Sequence, residues 1–176
     1  MTQREALREL QTRLAARMHA ARTEPRSTSW LAVEAGGAGF LFPLGEAGEI
    51  FSLNEVVPLP HTQPWFCGVA NLRGGLHGVV DLASFVGLRH SPPTDPAARE
   101  TARLLALNPA LGALCALRVD RLAGLRNADQ LQPEPAPNGP RPSFAGSGWR
   151  DGQGRFWQEI DLAAMAANEQ FLAIAT

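Results

Sequence analysis

Arg73 stands between two short apolar runs, in GVANLRGGLHGVVDL (residues 68–82), and is the side chain best placed for recognition chemistry. A guanidinium carries five N–H donors in a planar fork that suits carboxylates and backbone carbonyls. The Gly-Gly beside it signals a two-residue hairpin turn, because primed turns need positive φ. With Gly74 and Gly75 in the turn, Arg73 faces Leu76 across the ladder. With Arg73 and Gly74 in the turn, the register moves by one and one strand swaps faces. In both registers Arg73 sits at the rim, where a neighbouring glycine lets a second polypeptide approach the backbone. A plain solvated turn residue would share these features.

No other residues form a catalytic pattern. A hydrolase or transferase needs a nucleophile, a base and an orienting group. His19, His61, His77 and His90 fall in a helix, a Pro-flanked loop, a strand and a linker, without such partners. The glycines of RGGLHG do not follow a strand and open a helix, so they do not cradle phosphate. Cys67 and Cys115 lie far apart inside apolar runs, with no metal-ligand spacing, and read as small buried hydrophobes. The expectation is a protein without enzymatic activity, cofactor or metal. The alternative is a small barrel that binds nucleic acid or another ligand. It is opposed by the balance of 16 basic against 17 acidic residues, by the absence of Tyr, and by Trp149 and Trp157 falling in one hairpin.

All the basic residues are Arg, which reflects base composition more simply than function. With 45% apolar and 19% charged residues, the 176-residue chain has an ordinary globular composition. The N-terminus lacks the apolar core of a signal peptide, and no apolar run nears the ~20 residues of a membrane span. Cytoplasmic location without membrane insertion is expected.

The elements that must position Arg73 follow from periodicity. Residues 2–22 read as a helix: Thr2 and Glu5 fit a capping box, Leu7, Leu10, Leu14 and Met18 form one narrow stripe, Glu9 and Arg13 pair at i,i+4, and Pro25 ends it. The stripe covers either the protein's own body or a partner. Then SWLAVEA, GFLFPL and EIFSL are short strands separated by turn signals, followed by VVPLP, the hairpin over 66–82 and a short helix at LASFVGL that Asp81 caps. SPPTDP (91–96) is a stop and linker. The second half echoes the first: WLAVEAGGAGFLFPL (30–44) aligns without gaps on RLLALNPALGALCAL (103–117), and VVDLASF (79–85) is echoed by QEIDLAAM (158–165), with Asp161 in the capping place of Asp81. WRDGQGRFW supplies the matching hairpin, QPEPAPNGPRPS (132–143) is a Pro-rich surface loop, and the final helix packs back through Leu162, Met165 and Phe171. The repeat predicts a mainly β protein of two similar five-stranded β-barrel subdomains with an N-terminal and a C-terminal helix. The boundaries are 1–27 for the helix, 28–90 for the first barrel and 97–176 for the second, within one domain over 28–176.

The stretch FCGVANLRGGLHGVVDL resembles the signature of the CheW coupling-protein family: an apolar approach, G-V-x-N-L-R-G, then a V-V-D-L strand end. The resemblance extends, less densely, over residues 29–172 and includes the double-barrel repeat. It implies a non-enzymatic adaptor that joins the cytoplasmic tip of a methyl-accepting chemoreceptor to the regulatory domain of a CheA-like histidine kinase. That kinase domain has the same double-barrel shape. The output is chemotaxis or type IV pilus twitching motility; the N-terminal helix and LHGVVDL resemble the twitching branch. The adaptor is expected to be a monomer when isolated, with its kinase contact at the barrel ends. For Arg73 the resemblance implies a receptor contact, together with Asn71, Leu72 and Gly74. An acidic residue before Ile on an early strand belongs to the same contact; Glu49 matches, with Glu46 three residues away as the rival. Gly78 stands where the family usually has Pro, which loosens the second hairpin strand.

Overall fold

In a computed structural model, residues 9, 11–13, 28–135 and 137–176 are described. The expected helix over residues 2–22 lies outside them, apart from residue 9 and residues 11–13, which are helical and exposed.

Eleven strands and short helices follow Thr28. β1 (Ser29–Ala35), β2 (Ala38–Pro43), β3 (Ala47–Ser52), β4 (Phe66–Leu72) and β5 (Gly75–Asp81) lead into α1 (Leu82–Phe85) and α2 (Pro96–Thr101). β6 (Arg103–Leu107), β7 (Cys115–Val119), β8 (Arg121–Asn127), β9 (Leu131–Glu134), β10 (Ala145–Asp151) and β11 (Phe156–Ile160) lead into α3 (Leu162–Ala166) and α4 (Glu169–Leu172). The mainly β, two-subdomain reading holds, with a different strand count. A six-stranded sheet runs β8-β1-β2-β11-β10-β9 and a five-stranded sheet runs β3-β6-β7-β5-β4.

The repeat is real in its connectivity, but each sheet is built from both halves. The β1–β2 hairpin joins β11 in parallel, and the equivalent β6–β7 hairpin joins β5 in parallel. Each half thus lends its first hairpin to the sheet made by the later strands of the other. Residues 28–90 and 97–176 do not close separate barrels. The extra strand is β9, where a surface loop was expected. Its Pro133 is tolerated because β9 is an edge strand, paired only with β10.

Neither ladder closes into a barrel, although the edges approach. The three-residue 3₁₀ turn Ala128–Gln130 carries the chain from edge strand β8 to edge strand β9. In the five-stranded sheet, Val57 exchanges two backbone hydrogen bonds, 2.8 and 2.9 Å, with Val69 of β4. Gly68 makes that approach possible: with φ +129, a Cβ there would lie 2.1 Å from the Val57 carbonyl oxygen.

Strand alternation divides the core into three. Trp30 and Ala32 of β1 pack with Leu41, Leu131 and Trp157 on one face of the six-stranded sheet. Leu31, Val33 and Ala35 face the other way, into the large core between the sheets. Ala70, Leu72, Val79, Leu104 and Ala116 form a third cluster, on the face of the five-stranded sheet turned away from that core. Two buried faces per strand explain why β1, β2, β6 and β7 are nearly continuous apolar runs. At the C-terminus Leu162, Met165 and Phe171 are buried as expected. The single expected helix is two, because Asn168 caps a second start by accepting from the Gln170 and Phe171 amides. A helix missed in the sequence, α2, has ordinary start signals in Asp95 as N-cap and Pro96 in its first turn.

Candidate partner-binding site

The hairpin resolves the register. Leu72 pairs with Gly75, so Arg73 and Gly74 form the two-residue turn. Their φ values, +49 and +78, are those of a type I′ turn. Glycine takes this geometry freely, whereas arginine pays on the order of 1 kcal/mol or more for it. Asn71 offsets part of that strain, since its Oδ1 accepts from the Gly74 amide at 2.8 Å. The strand before the turn therefore supplies the clamp for a strained, charged tip.

Beside this tip lies the acidic residue that the sequence singled out. Arg73 Nη2 is 2.6 Å from Glu49 Oε1, with side chains 75% and 43% exposed. Glu49 belongs to β3 and Arg73 follows β4, so the pair spans the two edges of the five-stranded sheet. The rival Glu46 is engaged elsewhere: its Oε2 accepts from the Leu162 amide at 2.8 Å. An ion pair so exposed adds about 0–1 kcal/mol to stability. It does not compensate the turn strain, and packing gives no reason for arginine at this position.

Asn71 and Gly74 are exposed with Arg73, but Leu72 is 3% exposed and belongs to the third cluster. It anchors β4 and does not stand on the surface with the other three. Apolar surface adjoins the polar pair instead. Leu76, opposite Asn71, is 64% exposed, and Val57, opposite Val69, is 52% exposed. These positions share one face of the sheet. Gly78, also on that face, leaves a floor made by the Phe66 ring.

A second cluster escaped the sequence reading. Asp81 is fully buried and caps α1, accepting from the Ser84 amide at 2.9 Å and the Ser84 hydroxyl at 2.6 Å. Arg89 reaches back to Asp81 through Nε and Nη2, at 2.9 and 2.6 Å, and forks onto Asp120 through Nη1 and Nη2, at 3.0 and 2.8 Å. Asp120 also accepts from the Gly36 amide at 2.8 Å, joining the β7–β8 and β1–β2 turns. Burial works against the charge on Arg89, but the two carboxylates more than restore it. Arg118, 6% exposed, donates to the Pro93 carbonyl at 2.8 Å and anchors the linker. The capping signal at Asp81 was legible, but nothing in the spacing names Arg89 as its partner.

The remaining groups behave structurally. Burial pushes the Cys67 thiol up to about 11 and the Cys115 thiol up to about 12, so both stay protonated at neutral pH. His77 Nδ1 lies 3.0 Å from the Gly75 carbonyl oxygen, within the hairpin. Trp157 is buried, and Trp149 packs 5.0 Å from Trp30, centroid to centroid, with both indoles donating to Glu159. Trp30 and Trp157 are thus committed to the core, and Trp149 is half-buried against Trp30. Among the described residues, no three His, Cys, Asp or Glu side chains gather as metal ligands, and no helix is long and apolar enough to cross a membrane.

Two interleaved sheets, with an exposed, strained arginine at the tip of the β4–β5 hairpin, define a double-sheet domain. The same fold is found in the crystal structure of the scaffolding protein TtCheW from Thermoanaerobacter tengcongensis. That match has a TM-score of 0.64 at 17% identity and covers 80% of this chain and 88% of that one. Protein PilI of Pseudomonas aeruginosa is 31% identical over 169 residues, which cover 93% of this chain and 89% of PilI. Residues 29–170 match the CheW-like domain, and the chain belongs to that family.

Proposed function

We propose that this protein is a non-enzymatic, cytoplasmic adaptor that couples the cytoplasmic tip of a methyl-accepting chemoreceptor to a CheA-like histidine kinase. Type IV pilus twitching motility is the output favoured by the likeness to PilI, with chemotaxis the other branch. The receptor is held at Arg73 and Glu49, with Asn71 and Gly74 shaping the turn and Leu76 and Val57 giving apolar contact. The kinase regulatory domain meets the ends of the sheets, and the isolated adaptor is monomeric.

One observation carries this reading. Arg73 occupies a left-handed turn position that favours glycine or asparagine, yet it is 75% exposed and stabilises little. A strained residue without a stability role points to a role in recognition. A coupling protein transmits a signal only if receptor and kinase states differ in how tightly they bind it.

Calorimetry on a receptor-tip fragment tests the site. Arg73→Glu should keep the fold and weaken binding by more than about 1.5 kcal/mol, the scale of a charge-assisted contact. The charge-swapped pair Arg73→Glu with Glu49→Arg should not recover it. Recovery by the swap would mean that only the internal ion pair matters. Equal binding by wild type and Arg73→Glu would remove the site altogether.

A further inference from the structure

Gly78 does not leave the second hairpin strand loose. Its amide donates to the Leu114 carbonyl at 3.0 Å, where β5 meets β7 in parallel register with Gly78 opposite Cys115. Proline, the usual residue here in the family, has no amide hydrogen for this bond. It would also crowd the site, because a Cβ at Gly78 lies 3.1 Å from Phe66 Cε2. The bond ties the approach to β7, which the second half supplies, to the hairpin of the first half. Leu114 itself is 68% exposed, the most exposed large apolar side chain among the described residues. Leu72 and Gly75 close the hairpin turn, so Gly78 lies three residues along β5 from it, about 10 Å. Leu114, held beside Gly78, therefore stands at that distance from the Arg73 tip, with the exposed Leu76 between them.

We propose that Leu114 is a second anchor for the partner that Arg73 holds, and that Gly78 is the residue that positions it. The proposal rests on the receptor site at Arg73. The partner segment then carries a carboxylate for the Arg73 fork and a large apolar side chain about 10 Å away for Leu114. Two turns of an α-helix span that distance, so the two groups sit at i and i+7 on one helical face, with the residue at i+3 or i+4 over Leu76. A helix is favoured over an added strand because β5 is interior, between β7 and β4, and Val57 already occupies the β4 edge at Val69. The enlarged site draws on both halves of the chain: Arg73 and Gly78 come from the first, Leu114 from the second.

Calorimetry of the full chain on a receptor-tip fragment decides the matter, with Arg73→Glu as the reference variant. Leu114→Ser changes an exposed side chain, so its thermal unfolding should match wild type, while binding should weaken at least about fivefold, the scale of an interface truncation that matters. Gly78→Pro loses the donor and should weaken binding by a similar factor or more. Gly78→Ala keeps the donor, with Phe66 giving by a few tenths of an ångström, and should bind within about twofold of wild type. Leu114→Ser carries the test even if Gly78→Pro does not fold. Wild-type binding by Leu114→Ser, with Arg73→Glu defective, overturns the second anchor and leaves the receptor site standing. A loss by Leu114→Ser confined to a kinase regulatory-domain fragment gives the leucine to the other partner and overturns the proposal as well. Equal losses in Gly78→Ala and Gly78→Pro overturn the positioning role of Gly78, since crowding against Phe66 would explain both. If Arg73→Glu also binds as wild type does, the receptor site itself falls.

Discussion

Asp81 and Asp161 stand at equivalent places in the internal repeat and in opposite surroundings. Each follows a strand and caps a short helix, Asp81 through the Ser84 amide and Asp161 through the Ala164 amide at 2.8 Å. Asp81 is fully buried and clasped by Arg89, which also holds Asp120 of the β7–β8 turn. Asp161 is exposed, and the turn equivalent to β7–β8, that between β2 and β3, sends Glu46 directly to the Leu162 amide. One junction is a desolvated ion cluster; the other is a pair of carboxylates on backbone donors. The repeat fixes where a cap is needed, and burial decides how costly its loss becomes. Removing one partner of a buried ion pair leaves an uncompensated charge, whereas an exposed cap returns its helix end to water.

Breaking the buried junction should have the largest effect. Asp81→Ala leaves Arg89 half-paired and α1 uncapped, and should cost about 3–5 kcal/mol in denaturant unfolding. Arg89→Met should fall in the same range, and combining the two should cost clearly less than their sum, since they share one interaction. Asp161→Ala should cost only about 1 kcal/mol, the ordinary value of an N-cap. Equal losses at Asp81 and Asp161 would erase the contrast between the junctions.

Smaller effects sharpen it. Glu34 is a third ionic centre, holding Arg121 and Arg155 across β1, β8 and the β10–β11 hairpin. Burial tends to raise its carboxyl, but hydrogen bonds from Arg155 and Arg121 outweigh this and hold it below its ordinary value of 4.5. A lowered folded value gives stability that is present above the ordinary value and lost as pH falls through the folded one. Glu34→Gln should therefore flatten the loss of stability below about pH 4.5 and change the slope little above it. Smallest of all, Arg73→Asn should leave stability unchanged or raise it by up to about 1 kcal/mol, because asparagine tolerates the left-handed turn. It should still lose the receptor fragment.

Local features were legible from sequence where they depend on nearby residues. The two helix caps, the hairpin tip and the buried trio Leu162, Met165 and Phe171 all follow from short-range pattern. Exchange of hairpins between the halves was not, because β2 reads the same whether it lies beside β11 or a strand of its own half. β9 was hidden by Pro133, which argues against a strand unless the strand is known to lie at an edge. The Arg73–Glu49 pair needed the family resemblance to bring together residues on separate strands, and Leu72, which the resemblance groups with them, is turned inward by strand alternation.

The parallel pairing of β2 with β11 has a consequence during synthesis. The apolar β1–β2 hairpin emerges early, yet the strand it lies against is made more than a hundred residues later. At ribosomal speeds of about 5–20 residues per second, that hairpin waits on the order of ten seconds for its neighbour. The nascent chain is most open to aggregation during this interval, and a cut at the central linker would leave both fragments with orphaned hairpins.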